Sequence, residues 1–244
     1  MKQTKQIMGM PVTLEIIEPK SPAVLAEAFA YFRAVDKHYS TYKPNSEISR
    51  INRGLPPAEW SEEMRAVLKL CEQTKQVTQG FFDIHHQGKL DPSGLVKGWA
   101  IQNVAQLLRR RGEQNFYIEA GGDIQADGVN GQGQRWRVGI RNPFDRHEII
   151  KTLAVSSEGV ATSGTYVRGQ HIYNPRQGDS TIESVMSLTV VGPNIYEADR
   201  FATAAFAMGL AGIAFLESQP RLEGYMVDNN QIATYTSNFE RYVV

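Results

Sequence analysis

The sequence predicts an α+β fold, mostly antiparallel sheets with flanking helices. Short stretches of alternating apolar and polar residues, separated by Gly, Asn and Pro turns, come as consecutive hairpins in the second half of the chain. Helical stripes are inserted singly between them, without the regular alternation of a doubly wound sheet. Neither a Walker loop nor a Rossmann glycine fingerprint is present, which argues against a nucleotide-binding Rossmann domain.

The chain has 244 residues, which fits one large domain or two small lobes, and either is long enough to bury a proper core. Hydrophobic residues make up 41% and charged residues 21%, a globular composition. Lys+Arg and Asp+Glu are equal at 26 each, so no overall field draws nucleic acid or an acidic membrane, and a charged ligand must be held by a local site. No apolar run is long enough for a membrane span, and no signal peptide or lipobox cysteine is visible, which points to a cytoplasmic protein. Cys71, the lone cysteine, falls on the helical stripe Met64, Val67, Leu68, Cys71 and reads as a buried structural thiol.

Val12 to Ile17 alternates as a half-buried strand, and Pro22 to Tyr39 follows with a helical stripe at Leu25, Ala28, Phe29, Phe32 and Val35. The polar, aromatic segment Tyr39 to Asn52 is irregular before a short helix from about Ser46, and Ser61 caps a helix to about Val77. Gly80 breaks that helix and opens an extended piece, Phe81-Phe82-Asp83-Ile84. His85 and His86 next to it would point to opposite faces of a strand, so they read as exposed or core residues rather than joint metal ligands. Asp91-Pro92 ends the extended piece, and Ser93-Gly94 opens a helix with an apolar face at Val96, Ala100, Val104 and Leu107, to about Arg110. Strand residues flank Gly121-Gly122, where a bulge or a close backbone approach is expected. Arg135 to Ile140 is expected to pair with the preceding strand, and Ile149 to Ser156 with Gly159 to Thr162 as a further hairpin. The apolar run Met186 to Val191 leads into a helix from Ile195, Gly209 to Ser218 forms a last helix, and Gly224 to Asp228 with Gln231 to Thr236 closes the chain as a hairpin.

Three places carry chemistry. Asp199 and Thr203 stand four apart on the Ala-rich helix and share a face, a carboxylate and a hydroxyl of the hard-oxygen kind that Mg2+ accepts while keeping positions for water and phosphate. The same pair also reads as a helix cap and a hydroxyl bonded back to a carbonyl, so both readings stand on these residues alone. The turn Leu90-Asp91-Pro92-Ser93-Gly94 exposes carbonyls before a helix start whose N–H groups favour an anion. His171 precedes an Asn-Pro turn in an otherwise polar loop, where it can also serve simply to stabilise the turn.

Taken together and in order, these blocks resemble the ApbE family of FAD:protein FMN transferases. The likeness runs through Met8-Gly9, Tyr39-Ser40-Thr41-Tyr42, Phe82-Asp83-Ile84, Leu90 to Gly94 with Lys97-Gly98, Gly121-Gly122-Asp123-Ile124, Gly139 to Pro143, Ala161 to Gly164, His171 to Pro175 and Glu197-Ala198-Asp199 with Thr203. The resemblance implies a single domain over 1–244 and an enzyme that cleaves the pyrophosphate of FAD and attaches FMN through a phosphoester to a Thr or Ser of an acceptor flavoprotein, releasing AMP. It implies Mg2+ held by Asp199, Thr203 and the carbonyl of Gly94. It implies FAD contacts from Met8, Tyr42, Phe81, Phe82, Asp83, Asp91, Lys97, Ile172 and Tyr173. It makes His171 and Asp199 the catalytic candidates, with His171 as general base or phosphate ligand. Some members carry an acid where Lys97 stands. An FAD pyrophosphatase that uses water as acceptor and a non-catalytic flavin-binding module are the rival functions for the same residues.

Overall fold

A computed structural model describes residues 1–145, 147–164, 172–178 and 180–244. Its strands are β1 (Lys2–Ile7), β2 (Met10–Ile16), β3 (His85–His86), β4 (Lys89–Leu90), β5 (Phe116–Ala120), β6 (Asp123–Asp127), β7 (Trp136–Arg141), β8 (Ile149–Val155), β9 (Gly159–Gly164), β10 (Tyr173–Asn174), β11 (Ser180–Thr181), β12 (Val185–Gly192), β13 (Glu223–Asp228) and β14 (Ala233–Tyr235). Its helices are α1 (Ala23–Tyr39), α2 (Glu47–Ile51), α3 (Glu62–Val77), α4 (Ser93–Arg110), α5 (Ile195–Ala207) and α6 (Gly212–Glu217). Eight strands form one antiparallel sheet in the order β1-β2-β5-β6-β9-β12-β13-β14.

Three of the helices, α2, α3 and α5, start where the sequence places them because side chains close their first turns. Ser46 caps α2, Ser61 accepts from the N–H of Met64 at 3.1 Å to cap α3, and Asn194 accepts from the N–H of Glu197 at 3.0 Å to cap α5. A large core that includes Leu14, Phe29, Phe32, Ile101, Phe116 and Phe206 joins the helices to the sheet. A second core, with Ile124, Trp136, Val138, Leu153, Val155 and Phe239, joins the sheet to a separate ribbon made of β7 and β8. The middle of the sheet is thus covered on both sides. This is why β6 and β12 are buried almost throughout while β2 alternates.

Two strand pairings differ from the sequence reading. Arg135 to Ile140 does not pair with the strand before it: β7 pairs with β8, Val138 opposite Leu153, in the ribbon. The expected hairpin of Ile149 to Ser156 with Gly159 to Thr162 is also absent, since β9 lies in the main sheet between β6 and β12. Turn residues mark where the chain reverses, but the choice of partner depends on which face can be buried. Ribbon strand β7 exposes every second residue, whereas β9 runs under α5 with small residues. Gly121 and Gly122 prove to be the two-residue turn of the β5–β6 hairpin, with φ of 59° and 93°, rather than a bulge. The last expected helix is divided into a 3-10 turn at Gly209–Ala211 and α6.

The path of β9 under α5 leaves no room at Gly159, where an added Cβ would stand 2.1 Å from the Ile195 nitrogen and 2.3 Å from its Cα. Backbone cannot yield as a side chain tip can, so Gly159→Ala should cost about 3 kcal/mol of stability, read as a lower urea midpoint. Cys71 is 1% exposed and burial pushes its thiol up to about 12. The native protein should therefore resist a disulfide reagent at pH 8 and react fully once unfolded in guanidinium.

Candidate functional site

The site forms where α4 and α5 touch. The turn before α4 is held by the N–H of Asp91 on Ile84 O at 2.7 Å and by the N–H of Ser93 on Asp91 Oδ1 at 3.0 Å. The start of α5 is held by its Asn194 cap and by the N–H of Ile195 on Gln125 Oε1 at 2.9 Å. The helices meet at Gly98, where an added Cβ would lie 2.6 Å from Asp199 Cβ and 2.8 Å from Ile195 O. Only glycine allows so close an approach, and the contact brings two groups four apart on each helix face to face. The N–H of Gly98 donates to Asp199 Oδ2 at 2.7 Å, and Thr203 Oγ1 donates to Gly94 O at 3.3 Å. Asp199 is not a helix cap, since Asn194 fills that position, and Thr203 reaches the neighbouring helix rather than only its own.

Asp199 is 3% exposed and shares its surroundings with Lys97 and Asp123, which is 1% exposed. The Lys97 ammonium bonds Asp123 Oδ2 and lies 3.4 Å from Asp199 Oδ1, while Asp123 Oδ1 accepts from the N–H of Thr162 at 3.2 Å. Burial pushes the Asp199 carboxyl up to about 7: Lys97 and the Gly98 N–H favour its charge, Asp123 opposes it, and desolvation outweighs them.

Lys97 and Asp199 stand in the wall of a cleft of about 1040 Å3, at the upper end of the range for small-molecule sites and roomy enough for a dinucleotide. Phe81, Phe82, Asp83, Asp91, Lys97, Ile172 and Tyr173 line it together with Gly94, Asp199 and Thr203. Met8 does not. It packs on the core in a left-handed turn with φ of 57°, and its neighbours Gly9, Met10 and Pro11 reach the cleft instead. Tyr42 is also outside the lining and is 96% exposed. His171 lies outside the described residues.

Three features of the site go beyond what the sequence predicts. Asp123 follows a glycine pair and opens a buried strand, and an acid in that position is itself a signal. His86 is not merely an exposed or core residue: His85 is exposed and bonds Asp83, but His86 lines the cleft with its ring stacked on Tyr173 at 4.0 Å. Arg137, Gly139 and Arg141 of β7 form part of the opposite wall, which the misassigned pairing of that strand concealed.

The family model for ApbE matches residues 8–88 and 85–226. The chain belongs to the ApbE family. A protein named FAD:protein FMN transferase from Klebsiella pneumoniae is 23% identical over 86% of this chain and 78% of its own length. One of the same name from Haemophilus influenzae is 24% identical over 88% of this chain and 82% of its own. The flavin transferase ApbE of Vibrio cholerae superposes with a TM-score of 0.86 at 23% identity, covering 99% of this chain and 98% of that one. The ApbE protein of Thermotoga maritima gives 0.85 at 20% identity, covering 99% and 98%. These likenesses establish the α+β fold of the chain. Among the described residues no helix is long and apolar enough to cross a membrane.

The oxygens at the α4–α5 contact fit a magnesium ion. Thr203 Oγ1 and Gly94 O stand 3.3 Å apart, close to the separation of about 3 Å expected for adjacent ligands of an octahedral ion with bonds near 2.1 Å. Among the described residues no group of three or more His, Cys, Asp or Glu could hold a metal. A site with one carboxylate and neutral oxygens suits a hard ion that takes its remaining ligands from water and phosphate, and it lacks the nitrogen and sulfur donors of a zinc site.

The raised Asp199 carboxyl fixes the sign of a pH effect. Between the ordinary carboxylate range and about 7 the folded chain holds more protons than the unfolded one, so the metal-free protein loses stability as pH rises through that window. Metal-free Asp199→Asn should melt above the parent at pH 8, with the difference closing toward pH 4, as scanning calorimetry in EDTA would show.

Proposed function

We propose that this chain is a Mg2+-dependent FAD:protein FMN transferase. One observation carries the reading: Asp199, Thr203 and the Gly94 carbonyl meet at the wall of a dinucleotide-sized cleft, beside the start of α4. The names of the relatives support the same activity.

In this reading FAD lies along the cleft with its flat rings against Phe81, Phe82 and Tyr173, and Ile172, Asp83 and Asp91 complete the walls. The positive end of the α4 dipole and the Lys97 ammonium face the pyrophosphate, where their positive charge is worth most away from bulk water. Asp199, Thr203 and Gly94 O would hold Mg2+, which supplies charge neutralisation on the pyrophosphate oxygens. The hydroxyl of an acceptor Thr or Ser attacks the phosphorus on the FMN side. A new oxygen–phosphorus bond forms, the bond to AMP breaks, and the hydroxyl proton passes to a base. His171 is our candidate for that base or for a phosphate ligand. Met8 and Tyr42 are retained as candidate FAD contacts on the strength of the family resemblance alone.

The test is incubation with FAD, Mg2+ and a candidate acceptor flavoprotein, followed by mass spectrometry of the acceptor. The expected product is an FMN phosphoester on a Thr or Ser, with AMP in equal amount. Asp199→Ala and Thr203→Val should each lower the rate on the order of 100-fold or more, and EDTA should stop it. Release of free FMN and AMP with no label on any polypeptide would instead make the protein a pyrophosphatase.

A further inference from the structure

We propose that the outer edge of β7 binds the acceptor polypeptide as an added β-strand, holding the Thr- or Ser-bearing segment extended across the cleft. The proposal rests on the transferase reading above and states how its protein substrate is held.

Residues from both faces of β7 line the cleft. Val138 points into the second core, while Arg137, Gly139 and Arg141 alternate with it on the exposed face. Successive side chains of a strand point to opposite faces, so a cleft that meets both faces is meeting the edge. Its partner β8 contributes nothing to this lining. The far edge of β8 is covered by the chain terminus, with Val243 bridged to Leu153 and the N–H of Val244 on Thr152 O at 3.0 Å. The ribbon is closed on the side away from the cleft, and among the described residues β7 pairs with β8 alone, with no described strand against its other edge.

The reaction requires backbone partners in that place. A Ser or Thr hydroxyl stands one bond beyond Cβ, so its oxygen cannot reach the pyrophosphate unless the acceptor's main chain also enters the cleft. Main-chain N–H and C=O groups that leave water must find hydrogen-bond partners, and a strand edge offers them in regular order without reading the sequence. Side chains would add selectivity. Arg137 is exposed and makes no ion pair among the described residues, and Arg141 stands on the same face two positions beyond Gly139. An acceptor segment with acidic residues flanking its hydroxyl residue complements that face, because opposite charges on neighbouring strands attract.

The probe is an acceptor flavoprotein that takes up FMN in the assay above, with its modified residue changed to Val, added to the 15N-labelled enzyme with FAD. On binding, every second amide from 136 to 141 should exchange at least about tenfold more slowly, with β8 unaffected. Arg137→Glu should raise the acceptor KM about tenfold, and Arg137→Lys should bring it back to within about twofold of the parent. Bound acceptor that leaves all β7 amides exchanging as before overturns the strand proposal and spares the transferase reading. Failure of every polypeptide to take up FMN overturns both.

Discussion

The approach of α4 to α5 at Gly98 is the constraint on which the site depends. With no side chain at 98, a carboxylate on one helix can take a hydrogen bond from the main chain of the other, and a hydroxyl one turn further along meets the Gly94 carbonyl. The arrangement comes from backbone position rather than from long, mobile side chains, so it is pre-organised. It also buries an acid. Lys97 and the Gly98 N–H offset much of the desolvation, and the raised carboxyl shows what remains uncompensated. A group held in that condition binds a cation more readily than one already satisfied, which suits a functional centre better than a purely structural one.

The two cores have different tasks. The large one fixes the helices on the sheet and so sets the oxygens of Asp199, Thr203 and Gly94, while the smaller one fixes the ribbon and so sets the opposite wall. The sheet belongs to both, and its hairpin at Gly121-Gly122 delivers Asp123 to Lys97 from the side that the helices do not supply. The cleft is therefore bounded by parts that cannot shift independently. Across its width His86 and Tyr173 stack, and the Arg176 guanidinium lies 4.9 Å over the Phe81 ring, which ties the segment after residue 171 to the extended piece that follows α3.

Much of the helical framework and part of the site were legible in the chain. Asp199 and Thr203 are four apart within one helix, and Ser93 and Gly94 begin another after Asp-Pro, so local geometry alone put each group on a known face. Asp123, His86 and β7 were less accessible. Asp123 acquires its meaning only from Lys97, 26 residues earlier, and His86 from Tyr173, far later in the chain. The β7–β8 ribbon was missed because alternation shows that a strand has one buried face without showing which surface covers it.

By itself the sequence determined the fold class, the helix starts, the buried thiol and the spacing that aligns a carboxylate with a hydroxyl, because each follows from contacts within a few residues. Tertiary structure alone decided which strands pair, that Asp199 faces Gly98 rather than capping its own helix, and that Tyr42 stands in solvent. Those outcomes depend on how two helices and a ribbon share the faces of one sheet. That balance of buried area and close approach involves residues a hundred positions apart, and no local pattern encodes it.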